Sequence, residues 1–271
     1  MLTDTHAHLD YPDFEQDLPA ILDRAKEAGV TRILTIGTSL ESSRRAVALA
    51  ERYPSIHAVI GVHPTSAHEA EPGVIADLRE LAKSPRVVAI GEIGIDFYRG
   101  RDIISDVPNI TTPDVRNGVP TQADLFQAQL DLAVELGLNV VIHQRAAWDE
   151  TLEILKPYTG KLRAVYHCFG NSIEEARELF DLNHMISFTG IITFKNAATA
   201  QATATQAPAD SFMVETDCPY LAPVPFRGKR CEPAHTRWVA EKMAQLRGVS
   251  IEEIAAETTR TANTFFRFQT R

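Results

Sequence analysis

The chain has 271 residues, 44% of them hydrophobic, which is enough to bury the core of one large domain or of two ordinary ones. Its net charge of −9 argues against a protein that grips duplex nucleic acid through a broad basic face. Three cysteines without a framework spacing argue against a disulfide scaffold, and no apolar run is long enough to cross a bilayer. We therefore expect a cytoplasmic protein without membrane association and without an obligate protein partner.

Short β-rich runs alternate with segments of helical periodicity along the chain. The runs cover residues 3–8, 31–37, 56–62, 87–92, 139–143, 163–167, 184–188 and 212–217. This alternation is typical of a parallel sheet with helical connections, and about eight strands is the number at which such a sheet closes on itself. The sequence therefore predicts an α/β fold, with residues 1–271 forming a single (β/α)8 TIM-type barrel.

The intervening segments carry recognisable helix ends. Thr121 and Asp124 resemble a capping box at the start of a helix, and Gly137 supplies the stop that follows it. Ser250 opens a second helix of this kind near the end of the chain. Residues 99–120, rich in Asp, Pro, Asn, Gly and Thr, break the alternation and predict a long loop.

The first predicted strand carries two histidines, His6 and His8. Successive side chains of a strand point to opposite faces, so residues two positions apart project from the same face. Neutral imidazole is the commonest metal-binding side chain, and this pair can hold one ion from a single strand. The pair is half a site and requires further ligands from elsewhere in the chain.

Four more candidate ligands end a predicted strand: Glu92, His143, His167 and Asp217. The active sites of such barrels lie at the C-terminal ends of the strands. A single buried histidine is more often a hydrogen-bonded core residue than a ligand, but six such groups at one mouth favour a metal site. Glu92 and Asp217 each follow an apolar strand and would be costly to bury as bare anions, so a shared cation is the simplest compensation.

The remaining histidines provide an internal control. His57 and His184 fall at strand starts, His68 lies in a loop, and His235 opens a late helix. We expect these four to be structural or exposed, because they lie away from the strand ends that carry active sites. His63, immediately before Pro64 at the end of the third strand, fits either group.

At these positions the chain resembles a known family, the TatD-like metal-dependent deoxyribonucleases of the amidohydrolase-type barrel superfamily. The resemblance runs nearly end to end, and the order of its motifs makes it specific. The motifs are Asp4-Thr-His-Ala-His-Leu-Asp10, Gly61-Val-His-Pro64, Gly91-Glu-Ile-Gly-Ile-Asp96, Val141-Ile-His143, His167-Cys-Phe-Gly170, Ser187-Phe-Thr-Gly190, Glu215-Thr-Asp-Cys-Pro-Tyr-Leu-Ala-Pro223 and Arg227-Gly-Lys-Arg-Cys-Glu-Pro233.

The resemblance implies a binuclear centre that hydrolyses phosphodiester bonds. His6, His8 and Asp217 would hold one divalent ion, His143 and His167 the other, and Glu92 would bridge them. Two such cations lower the pKa of a bound water, and Asp217 would accept the water's proton. Mixed imidazole and carboxylate ligation suits zinc, manganese or magnesium, and the sequence does not choose between them.

Substrate groups are predicted near the same mouth. His63, Arg145, Arg227 and Arg230 are candidates for holding phosphate oxygens, because guanidinium groups match phosphate bidentately. Ordinary salt bridging is the alternative for the last two arginines, with Glu215 or Glu232 as partner. Glu215 shares a face with Asp217 one layer deeper, so we assign it a supporting role beside the metal ligands.

Departures from the family pattern concern the substrate rather than the ligands. An acid expected shortly after His143 is missing from Gln144-Arg145-Ala146, Cys231 stands where we expect Asn, and residues 99–120 are longer than usual. The preferred hypothesis is exonucleolytic cleavage of DNA, preferentially of single strands or ends. The alternatives are hydrolysis of a small ester, amide or phosphotriester on the same ligand set, and a non-catalytic barrel that binds metal or a partner.

Overall fold

The protein, described by a computed structural model over residues 1–98 and 121–268, is built on one eight-stranded parallel sheet. Each strand pairs with the next in chain order. The strands are β1 Leu2–Ala7, β2 Val30–Ile36, β3 Ile56–Ile60, β4 Val87–Asp96, β5 Asn139–Arg145, β6 Ala164–Tyr166, β7 Met185–Phe188 and β8 Phe212–Val214. This confirms the predicted α/β barrel.

The barrel closes where the chain beyond β8 returns to β1. The Asp217 N–H donates to the His6 carbonyl at 2.8 Å, and the His8 N–H donates to the Cys218 carbonyl at 2.8 Å. Closure removes the exposed sheet edges that an open sheet would leave. It also brings the first histidine pair beside Asp217, from opposite ends of the chain.

Helices cover the outside of the sheet. Within the described residues these are α1 Leu18–Glu27, α2 Leu40–Arg52, α3 Val74–Leu81, α4 Gln122–Leu136, α5 Trp148–Leu155, α6 Ile173–Asp181, α7 Ala198–Gln206, α8 Thr236–Arg247 and α9 Ile251–Phe266. The capping boxes at Thr121 and Ser250 are both present, and Gly137 ends α4 at φ 66°. None of the described helices is long and apolar enough to span a membrane.

Two apolar layers hold this architecture together. One lies between the sheet and the helices, and the other fills the barrel, where Ile36, Val59 and Val141 are buried to 1% exposure or less. Phe265 and Phe266 of α9 belong to the inner layer. The C-terminal mouth therefore rests on a packed apolar floor, which strengthens electrostatic interactions there.

Several strand ends differ from the sequence prediction. β6 stops at Tyr166 and β8 at Val214, and shortly beyond them Cys168 (φ 50°) and Asp217 (φ 60°) adopt left-handed backbone that a strand ladder does not accommodate. β4 instead continues to Asp96, which pairs with Arg145 of β5. The loop prediction for residues 99–120 lies outside the described residues.

Candidate metal centre

The six predicted ligands meet at the C-terminal mouth of the barrel, around Glu92. Its two carboxylate oxygens face different partners. Oε2 lies 3.4 Å from His6 Nε2 and 4.0 Å from His8 Nε2. Oε1 lies 2.7 Å from His143 Nδ1 and 2.7 Å from His167 Nε2. One carboxylate thus stands between two pairs of imidazoles.

The first group is completed by Asp217. Its Oδ1 lies 3.3 Å from His8 Nε2 and 3.7 Å from His6 Nε2. Both ring nitrogens of His6 are buried without a hydrogen-bond partner among the described residues. A buried polar group without a partner is destabilising, and a cation beside Nε2 would satisfy it. The donors present therefore fit a divalent ion.

Polar contacts on the far side of three rings orient those rings toward the centre: hydrogen bonds for His8 and His143, and a longer ion-pair contact for His167. His8 Nδ1 lies 3.2 Å from the Ile36 carbonyl, which can only accept, so the proton is on Nδ1 and the Nε2 lone pair faces Asp217. His143 Nε2 lies 3.0 Å from Asp96 Oδ2, and His167 Nδ1 lies 3.5 Å from Glu215 Oε1. Metal-binding histidines almost always have such an outer partner, which sets the tautomer and raises ligand basicity.

The carboxylates of the centre are ionised despite their burial. Burial alone would raise the pKa of Glu92, but His167, His63 and His6 outweigh it and hold that pKa well below its ordinary value. For Asp217, burial is likewise outweighed when His8 is protonated on both ring nitrogens and donates from Nε2, the position that a bound cation would take, and the pKa of Asp217 is lowered. A buried Glu92 anion that shares its imidazole partners His6 and His8 with a second carboxylate, Asp217, requires positive charge nearby, which bound cations would supply.

In His63, unlike His8 and His143, the ring nitrogen that faces away from the centre accepts a hydrogen bond instead of donating one. Its Nδ1 accepts a hydrogen bond from the Thr65 backbone N–H at 3.2 Å and lies 2.7 Å from Thr65 Oγ1. In the neutral ring the proton is therefore on Nε2, which lies 3.6 Å from Glu92 Oε1. A nitrogen that carries a proton cannot coordinate a metal, so His63 presents a donor to the mouth.

The mouth is a cavity of about 560 Å³. Five of the six candidate ligands line it, together with His63 and Arg145. The cavity also has a rim whose residues were not predicted from the sequence to belong to the site. That rim includes Tyr11, Thr38, Asp96, Ile191 and Tyr220. The sequence could have indicated that Asp96 belongs to the site, because Asp96 lies four residues after Glu92 on the same strand and therefore on the same face.

Comparison with known proteins decides the family. The family described as TatD related DNase matches residues 3–267. The chain belongs to this family. The metal-dependent hydrolase YabD of Bacillus subtilis, itself described as uncharacterized, is 38% identical over 98% of this chain and 99% of its own. A protein of Erwinia tasmaniensis named 3'-5' ssDNA/RNA exonuclease TatD is 36% identical over 97% of this chain and 98% of its own.

A solved structure agrees with these relatives. YjjV, a TatD homologue from Escherichia coli K12, superposes with a TM-score of 0.87 at 29% identity, over 99% of this chain and 98% of that one. The protein is therefore a TatD-family metal-dependent hydrolase.

The two arginines of the 227–230 segment occupy different environments in this TatD-family protein. Arg230 donates to Asp17 at 2.7 Å and to the Asp13 carbonyl. Arg230 therefore forms a salt bridge, which was the alternative prediction for it, but its partner is Asp17 and not Glu215 or Glu232. Arg227 lies with its guanidinium 4.0 Å over the Phe194 ring. Neither arginine is among the described residues that line the cavity.

The control histidines of the TatD-family chain lie away from the centre. His57 packs 4.7 Å from the Phe268 ring, and His235 stacks at 4.4 Å on Phe226. His184 accepts from the Ala164 N–H at 3.2 Å, and His68 is exposed beside Glu69. None of the four belongs to a group of described side chains that converge closely enough to hold an ion.

Proposed function

We propose that this TatD-family hydrolase cleaves phosphodiester bonds of DNA from the ends of single strands, with two divalent cations. The observation that carries the proposal is the division of the Glu92 oxygens between two groups of imidazoles. His6, His8 and Asp217 would hold one ion, His143 and His167 the other, and Glu92 would bridge them. Zinc, manganese and magnesium all suit these ligands.

Asp217 is the residue to accept a proton during hydrolysis. When bound, the two cations would lower the pKa of a water at the centre and neutralise charge on the phosphate. The Asp217 side chain is 15% exposed, compared with 4% for Glu92 and 1% for Glu215. Of these three carboxylates, Asp217 is the one most open to the cavity, and its lowered pKa keeps it ionised as a base.

His63 and Arg145 would hold the phosphate. The Nε2–H of His63 points into the cavity because Thr65 occupies Nδ1, and it would donate to a phosphate oxygen. Arg145 follows His143 at the end of β5 and lines the same cavity, with its guanidinium 4.0 Å over the Tyr98 ring. Two donors on one side of the centre suit a phosphodiester, which carries two non-bridging oxygens.

Single-stranded ends fit the shape and charge of this mouth. A chain of net charge −9 lacks long-range attraction to a duplex, so its grip must come from the centre and a few nearby cationic groups. An internal phosphate of B-form DNA reaches a recessed site only after severe bending, whereas a frayed or single-stranded terminus enters directly. The name of the Erwinia relative supports 3'-to-5' action on single strands.

A small-molecule ester, amide or phosphotriester is the second candidate substrate. The cavity volume of about 560 Å³ falls within the range of small-molecule sites, which is the observation in its favour. The same ligand set on a barrel also serves many chemistries.

An activity screen on metal-loaded protein separates the two candidates. The substrates are linear single-stranded DNA, its RNA counterpart, linear duplex, covalently closed circular duplex, and a panel of lactones and phosphotriesters. We expect the highest rate on linear single-stranded DNA, with a shallow dependence on salt because few phosphates are contacted. Efficient cleavage of the closed circle, a steep salt dependence, or turnover confined to the small esters would contradict the proposal.

A further inference from the structure

We propose that the Tyr220 ring is a stacking surface for the nucleobase next to the scissile phosphate, an inference that rests on the proposed function. Tyr220 lines the cavity and is 54% exposed. Few large apolar side chains of the described chain are this exposed, and aromatic side chains beside a charged groove are the stacking surfaces of proteins that bind single strands. The feature therefore calls for a ligand with a flat apolar face.

The ring is held in place by the centre itself. Tyr11 stacks on His8 at 4.8 Å with an interplanar angle of 18°. Tyr220 meets both rings edge-on, at 6.4 Å from His8 and 6.4 Å from Tyr11. Its backbone N–H donates to the Asp217 carbonyl at 2.9 Å. Tyr220 is thus coupled to two proposed ligands, and its position relative to the ions is defined.

A nucleobase suits this surface in both chemistry and position. Every base has a π-face, so stacking on an aromatic side chain is strong and tolerant of sequence. A base on Tyr220 would place its sugar and phosphate over the neighbouring cavity, toward His63 and Arg145. An aliphatic lactone or a simple phosphotriester offers no such face, so the ring favours nucleic acid over the second candidate substrate.

Tyr98 provides an internal comparison. It is 57% exposed, but Arg145 covers one face of its ring at 4.0 Å. A ring already paired with a guanidinium offers less surface to a base. Tyr98 is also not among the described residues that line the cavity, so a variant at Tyr98 serves as the control for loss of an exposed tyrosine.

The test compares oligonucleotides of one length whose terminal base is present or is replaced by an abasic tetrahydrofuran unit, at each end in turn. With the unaltered protein, kcat/KM should fall about tenfold when the base is missing from the end that enters the site, which is the scale of one lost stacking contact. Tyr220→Leu should remove this difference, whereas Tyr220→Phe and Tyr98→Leu should retain most of it.

A binding measurement separates failure of stacking from failure of the proposed function. An oligonucleotide with 2-aminopurine at its terminus is titrated into the hydrolysis-impaired Asp217→Asn protein with and without Tyr220→Leu, and fluorescence quenching reports stacking. Quenching that depends on Tyr220 supports the inference, even if no oligonucleotide is cleaved. Equal cleavage rates for ends with and without a terminal base overturn the inference alone. So does a result in which Tyr98→Leu removes the difference in rate and Tyr220→Leu retains it. Absence of both quenching and cleavage overturns both proposals.

Discussion

At the scale of single residues, the direction of each imidazole proton separates the proposed ligands from the proposed substrate donor. His143 turns its far nitrogen to Asp96 at 3.0 Å, which leaves Nδ1 for a cation. His63 uses Nδ1 to accept from the Thr65 N–H, which leaves a proton on Nε2. The same side chain type thus serves two roles at one mouth, and neighbouring atoms decide which role each ring takes.

Variants of the two partner residues should therefore have different effects. Asp96→Asn removes the carboxylate behind His143 and should weaken metal binding about 10- to 100-fold. Thr65→Val keeps the backbone N–H but removes the hydroxyl that lies 2.7 Å from His63 Nδ1. Metal affinity should stay unchanged because His63 is not a proposed ligand, whereas kcat/KM should fall because His63 loses a contact that orients it toward the phosphate. Metal affinity is measured by competition with a chromophoric chelator, and turnover is measured on single-stranded DNA at saturating metal. A loss of metal affinity in Thr65→Val would show that His63 is a ligand.

Asp217 makes a second prediction at this scale. Asp217→Asn keeps the shape but removes the charge and the proton acceptor, so kcat should fall by about three orders of magnitude with a smaller change in KM. Steady-state kinetics on single-stranded DNA at saturating metal measure both constants. Near-normal turnover would assign the base to another group.

At the scale of secondary-structure elements, the close pairing of β4 and β5 positions Glu92 and His143. Gly94 lies in register with His143, at φ +142°, and a Cβ atom there would overlap the His143 carbonyl oxygen. A backbone atom of a paired strand cannot move aside. The glycine is therefore required by the contact that holds two proposed ligands together.

Gly94→Ala should lower the free energy of unfolding by at least about 3 kcal/mol, through overpacking and a backbone conformation that L residues rarely adopt. Gly137→Ala is the matched control. Gly137 also has positive φ, +66°, but nothing lies within 4 Å of its Cβ position, so the cost should be only about 1 kcal/mol. Urea denaturation of both variants is the measurement. Equal costs would show that the β4–β5 contact yields to a methyl group.

The elements also show how far the sequence leads toward the site. The convergence of the six proposed ligands was predictable, because strand alternation and strand ends place them at one mouth. Asp96 was not singled out, because β4 extends beyond the expected end at Glu92. The partner of Arg230 was not predictable, because Asp17 is brought to it only by packing between distant parts of the chain. Contacts between side chains far apart in sequence depend on tertiary geometry that local patterns do not encode.

At the scale of the whole molecule, the two ends of the barrel have opposite electrostatic character. The mouth gathers carboxylates, whereas Arg86 and Arg32 lie near His57 and Arg163 lies near His184 at the opposite end. Burial first, then Arg86 and Arg32, lower the pKa of His57 to about 3. Burial and then Arg163 lower the pKa of His184 to about 4. Both histidines are therefore neutral in the folded protein at all but strongly acidic pH.

Stability should consequently fall as the pH is lowered from about 6.5 toward 4. An unfolded histidine binds its proton near pH 6.5, whereas the folded ones do so only near 4 and 3. Their contribution to the free energy of unfolding is complete above pH 6.5 and is lost on acidification. The slope of that free energy against pH corresponds to an uptake on unfolding of up to about one proton per histidine. The double variant His57→Gln, His184→Gln should show a shallower pH dependence of unfolding free energy with unchanged metal content. An unchanged pH slope would contradict these neutral states.

The binuclear centre is the central claim for the molecule as a whole, and its most direct test is the number of ions bound per chain. Elemental analysis after equilibration in metal buffers should give two ions per chain for the unaltered protein. The double variant His6→Ala, His8→Ala should retain one ion, at the site of His143 and His167, with an unchanged circular dichroism spectrum and no hydrolysis of single-stranded DNA. One ion per chain in the unaltered protein, or two ions in the double variant, would contradict the two-ion centre bridged by Glu92.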